Sequence, residues 1–113
     1  MLRLSIQRVK PEKEERLRAW LSELNARADE VRATFADETV RHEQAYIIAT
    51  SDGPIMVYAM EAADFEIGRA AFASSTHPID AEHRSVMRDC LGEKLLLEPA
   101  YDVEAKQRPA EDA

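Results

Sequence analysis

EQAYIIATSDGPIMVYAM, residues 43–60, holds two runs of strand-forming residues on either side of Ser51-Asp52-Gly53-Pro54. Asp-Gly between two such runs is a strong hairpin signal, because a tight type I′ turn needs positive φ at both central positions. Folding at Asp52-Gly53 pairs Ile48 with Val57 and Ile47 with Tyr58. One face then holds Tyr46, Ile48, Ile55, Val57 and Ala59; the other holds Glu43, Ala45, Ile47, Ala49, Met56, Tyr58 and Met60. Both faces are largely apolar, so the hairpin must be covered on both sides.

Upstream, Leu2, Leu4 and Ile6 alternate with Arg3, Ser5 and Gln7, the period of a half-buried strand over about Leu2 to Val9. Pro11 then suits a first helical turn, where the amide it lacks would have no partner. Leu17, Trp20, Leu21, Leu24, Ala28, Val31 and Phe35 recur at three- and four-residue steps and predict one long helix. Downstream, Asp64 to Ser75 predicts a short helix or helical turn despite Gly68; Pro78 biases His77 toward an extended conformation, and Asp80 is either the N-cap or a first-turn acid of a helix ending near Leu91-Gly92. A last strand is expected from Lys94 to Leu97, reaching toward Val103 past Pro99.

Strand, helix, hairpin, helices, strand is the split βαβ order of the ferredoxin-like α+β fold: a four-stranded antiparallel sheet with its helices on one face. Residues 1–103 are expected to form a single domain and 104–113 a mobile tail, since the tail has no apolar residue larger than alanine. The face assigned as bare is the one with Ala45, Ile47, Met56, Tyr58 and Met60. An apolar patch of that extent marks an interaction surface. Sheet-on-sheet pairing into a homodimeric barrel is the expectation, with Arg3, Ser5, Gln7 and Glu43 interrupting the interface and lining a cavity.

Composition narrows the partners. The 113-residue chain has 22 acidic against 15 basic residues, a net charge of −7, which argues against nucleic acid and anionic membranes as partners. No apolar run approaches a spanning helix, the opening MLRLSIQRVK is unlike a signal peptide, and the one cysteine, Cys90, has no internal disulfide partner. A cytoplasmic protein is expected. Three glycines and no Gly-rich phosphate loop give nucleotide binding no support, and no cofactor is expected.

Three segments carry a resemblance: RLSIQRVKPEKEERLRAWLSELNARADEV (3–31), EQAYIIATSDGPIMVYAM (43–60) and HPIDAEHRSVMRDCL (77–91). Together they resemble an uncharacterised bacterial family related to the dimeric α/β-barrel superfamily. The resemblance implies the fold and a dimer. It does not imply a reaction, because that superfamily includes cofactor-independent monooxygenases, haem proteins, mutarotases and stress-response dimers. Glu43 matches a recurrent strand acid of the family, and Asp80 with His83 a recurrent Asp-x-x-His. The chain departs from the pattern at Pro11-Glu12, where Pro-Gly is common, and at Ala59, where an aromatic is often found.

His77, Asp80 and His83 raise the question of a metal. Steps of three place the two histidines about 9 Å apart along a helix axis, and Pro78 takes His77 out of register, so no metal is expected. His83 shares a face with Val86, Met87 and Cys90, where Asp80 can accept its Nδ1 hydrogen bond and orient it as a base. The alternative is a core histidine with Asp80 serving the helix start. Glu43 stands either as a buried base with a raised pKa or as an ion-pair partner of Arg3 or Arg41. Gln7, Glu43, Tyr58 and Met60 are the candidate ligand contacts, and Glu43, His83 and Asp80 the candidate catalytic residues. The expected function is a homodimer binding a small apolar or aromatic ligand. The alternatives are a cofactor-independent monooxygenase or isomerase with His83 or Glu43 as base, and a structural or stress-related dimer without ligand.

Overall fold

The computed structural model describes residues 2–105. Strand β1 (Leu2–Val9) leads through a 3₁₀ turn at Pro11–Lys13 into α1 (Glu14–Ala26) and α2 (Ala28–Glu38). The hairpin β2 (Val40–Thr50) and β3 (Gly53–Ala62) follows, then α3 (Phe65–Ser74), α4 (Pro78–Cys90) and β4 (Leu91–Leu95). The sheet order is β2-β3-β1-β4, with antiparallel neighbours throughout. This is the ferredoxin-like fold that the element order predicts.

Four local expectations are corrected. The single long helix is two, divided at Arg27 (φ −106°, ψ 33°). No Gly or Pro marks the break. Arg27 bridges out of the helix to Glu82 on α4 at 2.7 Å, a contact between distant residues that helical periodicity does not register. The last strand begins at Leu91, directly after α4, and ends at Leu95; Leu96, Leu97, Tyr101 and Val103 are exposed. Of the tail expected to be mobile, residues 106–113 lie outside the described residues.

The hairpin register is shifted by two: Ile48 faces Ile55, Ile47 faces Met56 and Ala45 faces Tyr58. Within the turn only Gly53 takes positive φ (107°), so the turn is not type I′. Instead Thr50 pairs with Gly53 and closes a two-residue loop, its hydroxyl donating to the Gly53 carbonyl (2.6 Å) and accepting from the Asp52 amide (3.2 Å). An even shift leaves every side chain on its original face.

The fourth correction concerns which face is covered. Rows of paired residues, Glu43–Met60–Arg3, Ala45–Tyr58–Ser5 and Ile47–Met56–Gln7, lie on the side facing the helices. Met56 and Val9 are each only 3% exposed there, in a core with Leu17, Trp20, Ile79, Val86 and Cys90. The bare face carries the other set: Leu2 (71% exposed), Leu4 (48%), Tyr46 (50%) and Ile48 (45%), with Ile6, Ile55, Val57 and Ala59 among them. With both hairpin faces apolar, the polar alternation of β1 was the only guide to orientation. It misled because Arg3, Ser5 and Gln7 point under the helical layer.

At the seam between α2 and α3 the backbones nearly touch: a β-carbon on Gly68 would sit 2.7 Å from the Glu38 carbonyl oxygen, so only glycine fits. Thr39, in left-handed conformation (φ 58°), stops α2 there. Its hydroxyl bonds both the amide and the carbonyl of Asp64, whose carboxylate caps α3 by accepting from the Glu66 and Ile67 amides. This clamp holds the end of α2, and with it Glu38, against α3.

Candidate functional site

Between the sheet and the helices lies a cavity of about 420 Å³. Leu24 of α1, Val31 and Phe35 of α2, Phe65 and Phe72 of α3, and Ile79 of α4 supply its apolar walls. Glu38, Glu43, Tyr58, Asp80 and His83 line it as well. Arg3, Arg69 and Lys94, all exposed, reach it from outside.

One chain of hydrogen bonds crosses the layers at this cavity. The Trp20 indole N–H, on α1, donates to Nδ1 of His83 on α4 at 2.9 Å. Nε2 of the same ring lies 3.3 Å from the Tyr58 oxygen on β3, and Tyr58 donates to Oε1 of Glu43 on β2 at 2.5 Å. An indole N–H can only donate, so Nδ1 must present its lone pair. The proton of a neutral His83 is therefore on Nε2, directed at Tyr58, whose own hydrogen goes to Glu43. Every donor points toward the carboxylate.

Burial sets the charge states along this chain. It pushes the His83 pKa down to about 4, against the opposing influence of the Asp80 charge, so the ring is neutral at neutral pH. It raises Tyr58 well above its ordinary value, with the Glu43 charge adding to the effect, so the phenol keeps its proton. Burial also raises Glu43, with the Tyr58 hydrogen bond opposing it and the Asp80 charge adding to the rise. Both ring nitrogens of His83 are thus committed.

The sequence-derived candidates divide accordingly. Glu43, Tyr58, Met60, Asp80 and His83 come together around the cavity. Gln7 does not line it; its amide donates to the Gly92 carbonyl at 3.4 Å. Asp80 is a first-turn acid of α4 and does not hold Nδ1 of His83. It accepts from the Ser75 hydroxyl at 2.5 Å, and Ser75 in turn accepts from the His77 amide at 3.1 Å. His77 faces Asp37 at 3.1 Å instead of the cavity. Glu43 forms no ion pair with Arg3 or Arg41 among the described residues. Nor do three or more His, Cys, Asp or Glu side chains there group closely enough to hold a metal ion.

Two participants escape sequence reasoning. Trp20 reads as core packing and is also the donor that sets the histidine tautomer. Glu38 extends the stripe of Val31 and Phe35 by one more three-residue step, and a carboxylate at the next apolar position was the available signal. It is only 9% exposed. Burial raises its pKa to about 7; the nearby Thr34 hydroxyl acts in the opposite direction, and the acids Asp80, Glu43 and Asp37 push it further up.

Comparison with known proteins agrees with this architecture. Residues 1–108 match the model of a family of unknown function, DUF6176. The chain belongs to that family. No curated protein matches it. Among solved structures it is similar to a protein from Bacteroides thetaiotaomicron VPI-5482, provisionally assigned as an antibiotic biosynthesis monooxygenase. The TM-score is 0.57 at 19% identity, over 96% of this chain and 95% of that one. The likeness establishes a shared ferredoxin-like fold. No helix among the described residues is long and apolar enough to cross a membrane.

Replacing the indole isolates the tautomer argument. Trp20→Phe keeps an aromatic in the core and removes the donor, at a cost of about 1–3 kcal/mol. Nitrogen-15 spectra of the native protein should show His83 protonated at Nε2 alone, and the variant should show a mixture of tautomers. An unchanged spectrum would mean that Trp20 does not set the ring.

Glu38 makes a prediction about pH. Its folded pKa of about 7 lies above the ordinary 4.5, so its contribution to stability is full below 4.5 and is lost as pH rises through 7. Glu38→Gln, which cannot ionise, should therefore be more stable than the native chain at pH 8, by on the order of 1 kcal/mol after allowance for solvent screening. Near pH 4.5 the two should unfold at nearly the same urea concentration. A variant less stable than the native chain at pH 8 would show that the Glu38 charge is already compensated.

Proposed function

We propose that the protein is a homodimer that takes a small, largely apolar ligand between its sheet and its helices and moves a proton there, with Glu43 as the base. The observation that carries this reading is the cavity itself: aromatic and aliphatic walls converging on a carboxylate supported by Tyr58, His83 and Trp20. A cavity of about 420 Å³ beside buried ionisable groups favours a binding role over a dimer built only for support. In the proposed step Glu43 takes a proton from a C–H or O–H of the ligand. Tyr58 stays bonded to Oε1, and His83 steadies the phenol. Return of the proton to a different atom would make the reaction an isomerisation.

A second reading, an oxygenase working without a bound cofactor, draws support from the assignment of the Bacteroides protein. It would use the same base, since removing a proton leaves an electron-rich anion able to react with oxygen. Stoichiometric oxygen consumption with a turned-over substrate would favour it over isomerisation.

The cavity can be tested before a substrate is known. The uncharged dye N-phenyl-1-naphthylamine should bind one per chain with blue-shifted, enhanced emission, and Leu24→Trp, which fills the cavity, should abolish the signal without changing the circular dichroism. Undiminished dye binding in that variant would remove the cavity from the proposal.

The dimer rests on the bare sheet face, whose large apolar side chains no element among the described residues covers. Light scattering should give twice the 12.8 kDa chain mass at micromolar concentration. Ile48→Glu should split the dimer by placing a charge in the seam. A native monomer would overturn this part of the reading.

A further inference from the structure

The cavity opens where the sheet is incomplete. β4 pairs with β1 only between Ile6 and Val9 and ends at Leu95, so Leu2 to Ser5 have no strand on that side among the described residues. Arg3, Leu4 and Ser5, three consecutive residues of this free edge, all line the cavity, although successive residues of a strand point to opposite faces. An opening at the edge reaches all three. Across it stands α3, with Phe65, Gly68, Arg69 and Phe72.

Three cations reach this opening, one from each element beside it: Arg3 from β1, Arg69 from α3 and Lys94 from β4. The Arg3 guanidinium lies over the Phe65 ring at 4.2 Å. Arg69 follows Phe65 by four residues and so shares the face of α3 that carries that ring. Lys94 pairs with Gln7, whose row faces the helices, and therefore stands on the cavity's side of the sheet. None of the three forms a salt bridge among the described residues. Acids are not scarce, since they outnumber bases 22 to 15. Nor do these cations offset the acids within: the charges acting on Glu38, Glu43, Tyr58 and His83 come from other acids alone.

We infer that the cavity takes an apolar ligand with an anionic head group, the head held at the opening by Arg3, Arg69 and Lys94 and the hydrocarbon lying inside against Phe35, Phe65 and Phe72. This rests on the reading of the cavity as a binding site and names the class of ligand that fits it. Three cations without acid partners gather an anion that the rest of a surface of net charge −7 repels. The guanidinium fork matches the paired oxygens of a carboxylate or a phosphate. The acids further in repel the same head, so the ligand is oriented: charge at the opening, hydrocarbon toward Glu43.

Four phenylalkyl probes test this by calorimetry near neutral pH: 3-phenylpropanoate, 2-phenylethyl phosphate, the neutral 3-phenylpropanamide and the cationic 3-phenylpropylamine. At least one anion should bind tenfold or more tighter than the amide and the amine, and the tighter anion names the head group. Added salt should erode that advantage, because exposed charges are screened. Replacing Arg3, Arg69 and Lys94 together by Gln should abolish it and leave the amide unchanged. Replacing Lys10, Arg41 and Arg88 by Gln alters net charge equally at exposed positions that do not line the cavity, and should leave anion binding as it was. An amide or amine that binds as tightly as both anions overturns the ligand class and leaves the cavity standing as a binding site. So does an anion advantage that survives the first triple variant or falls equally in the second, or failure of both anions while N-phenyl-1-naphthylamine still binds. Failure of every probe and the dye takes the reading of the cavity down with it.

Discussion

The hydrogen-bond chain from Trp20 through His83 and Tyr58 to Glu43 ties α1, α4, β3 and β2 together at one point, and each of its members is costly to bury without the next. An unpaired phenol, imidazole or indole N–H inside the layer would forfeit a hydrogen bond that water supplied in the unfolded chain. The relative placement of helices and sheet must therefore satisfy all four groups together. Directionality follows from the donor-only indole at one end and the acceptor at the other, which gives the cavity wall a defined polarity without any bound ion.

The acids around this chain are where stability gives way to site chemistry. Glu38 continues an apolar stripe and would pack there as a leucine, yet the chain places a carboxylate where burial and three neighbouring acids oppose its charge. Gly68 and the left-handed Thr39 hold the end of α2, and with it the Glu38 backbone, against α3. A residue held in an unfavourable electrostatic position by close backbone packing is a sign that the position serves something other than folding.

On the opposite side of the sheet the constraint is simpler. Leu2, Leu4, Tyr46 and Ile48 form an apolar face with no helix above it among the described residues, because a split βαβ sheet places both crossovers on the same side. The cavity and this face are separated by the thickness of one sheet. Successive residues of β2 and β3 serve the two in alternation: Tyr58 faces the cavity, and Val57 the bare side.

Much of the architecture was legible in the chain alone. Alternation in β1 and β2–β3, the stripe from Leu17 to Phe35, Pro11 at a helix start, Asp80 near the start of another, and the turn residues between two apolar runs determined the order of elements, and that order admits few topologies. Glu43, Tyr58 and His83 stood out because polar groups in apolar patterns need a reason. Three matters lay beyond the sequence. The covered face of the hairpin depended on how β1 docks, since both hairpin faces are apolar and periodicity has no preference between them. The break at Arg27 has no Gly or Pro to mark it. The partner of His83 Nδ1 depended on packing α1 against α4, which brought up Trp20 from 63 residues away where local spacing had suggested Asp80. Local pattern reports which groups must be buried or paired; which group meets which is decided only when the layers close, because those pairings are long-range and compete for the same few donors.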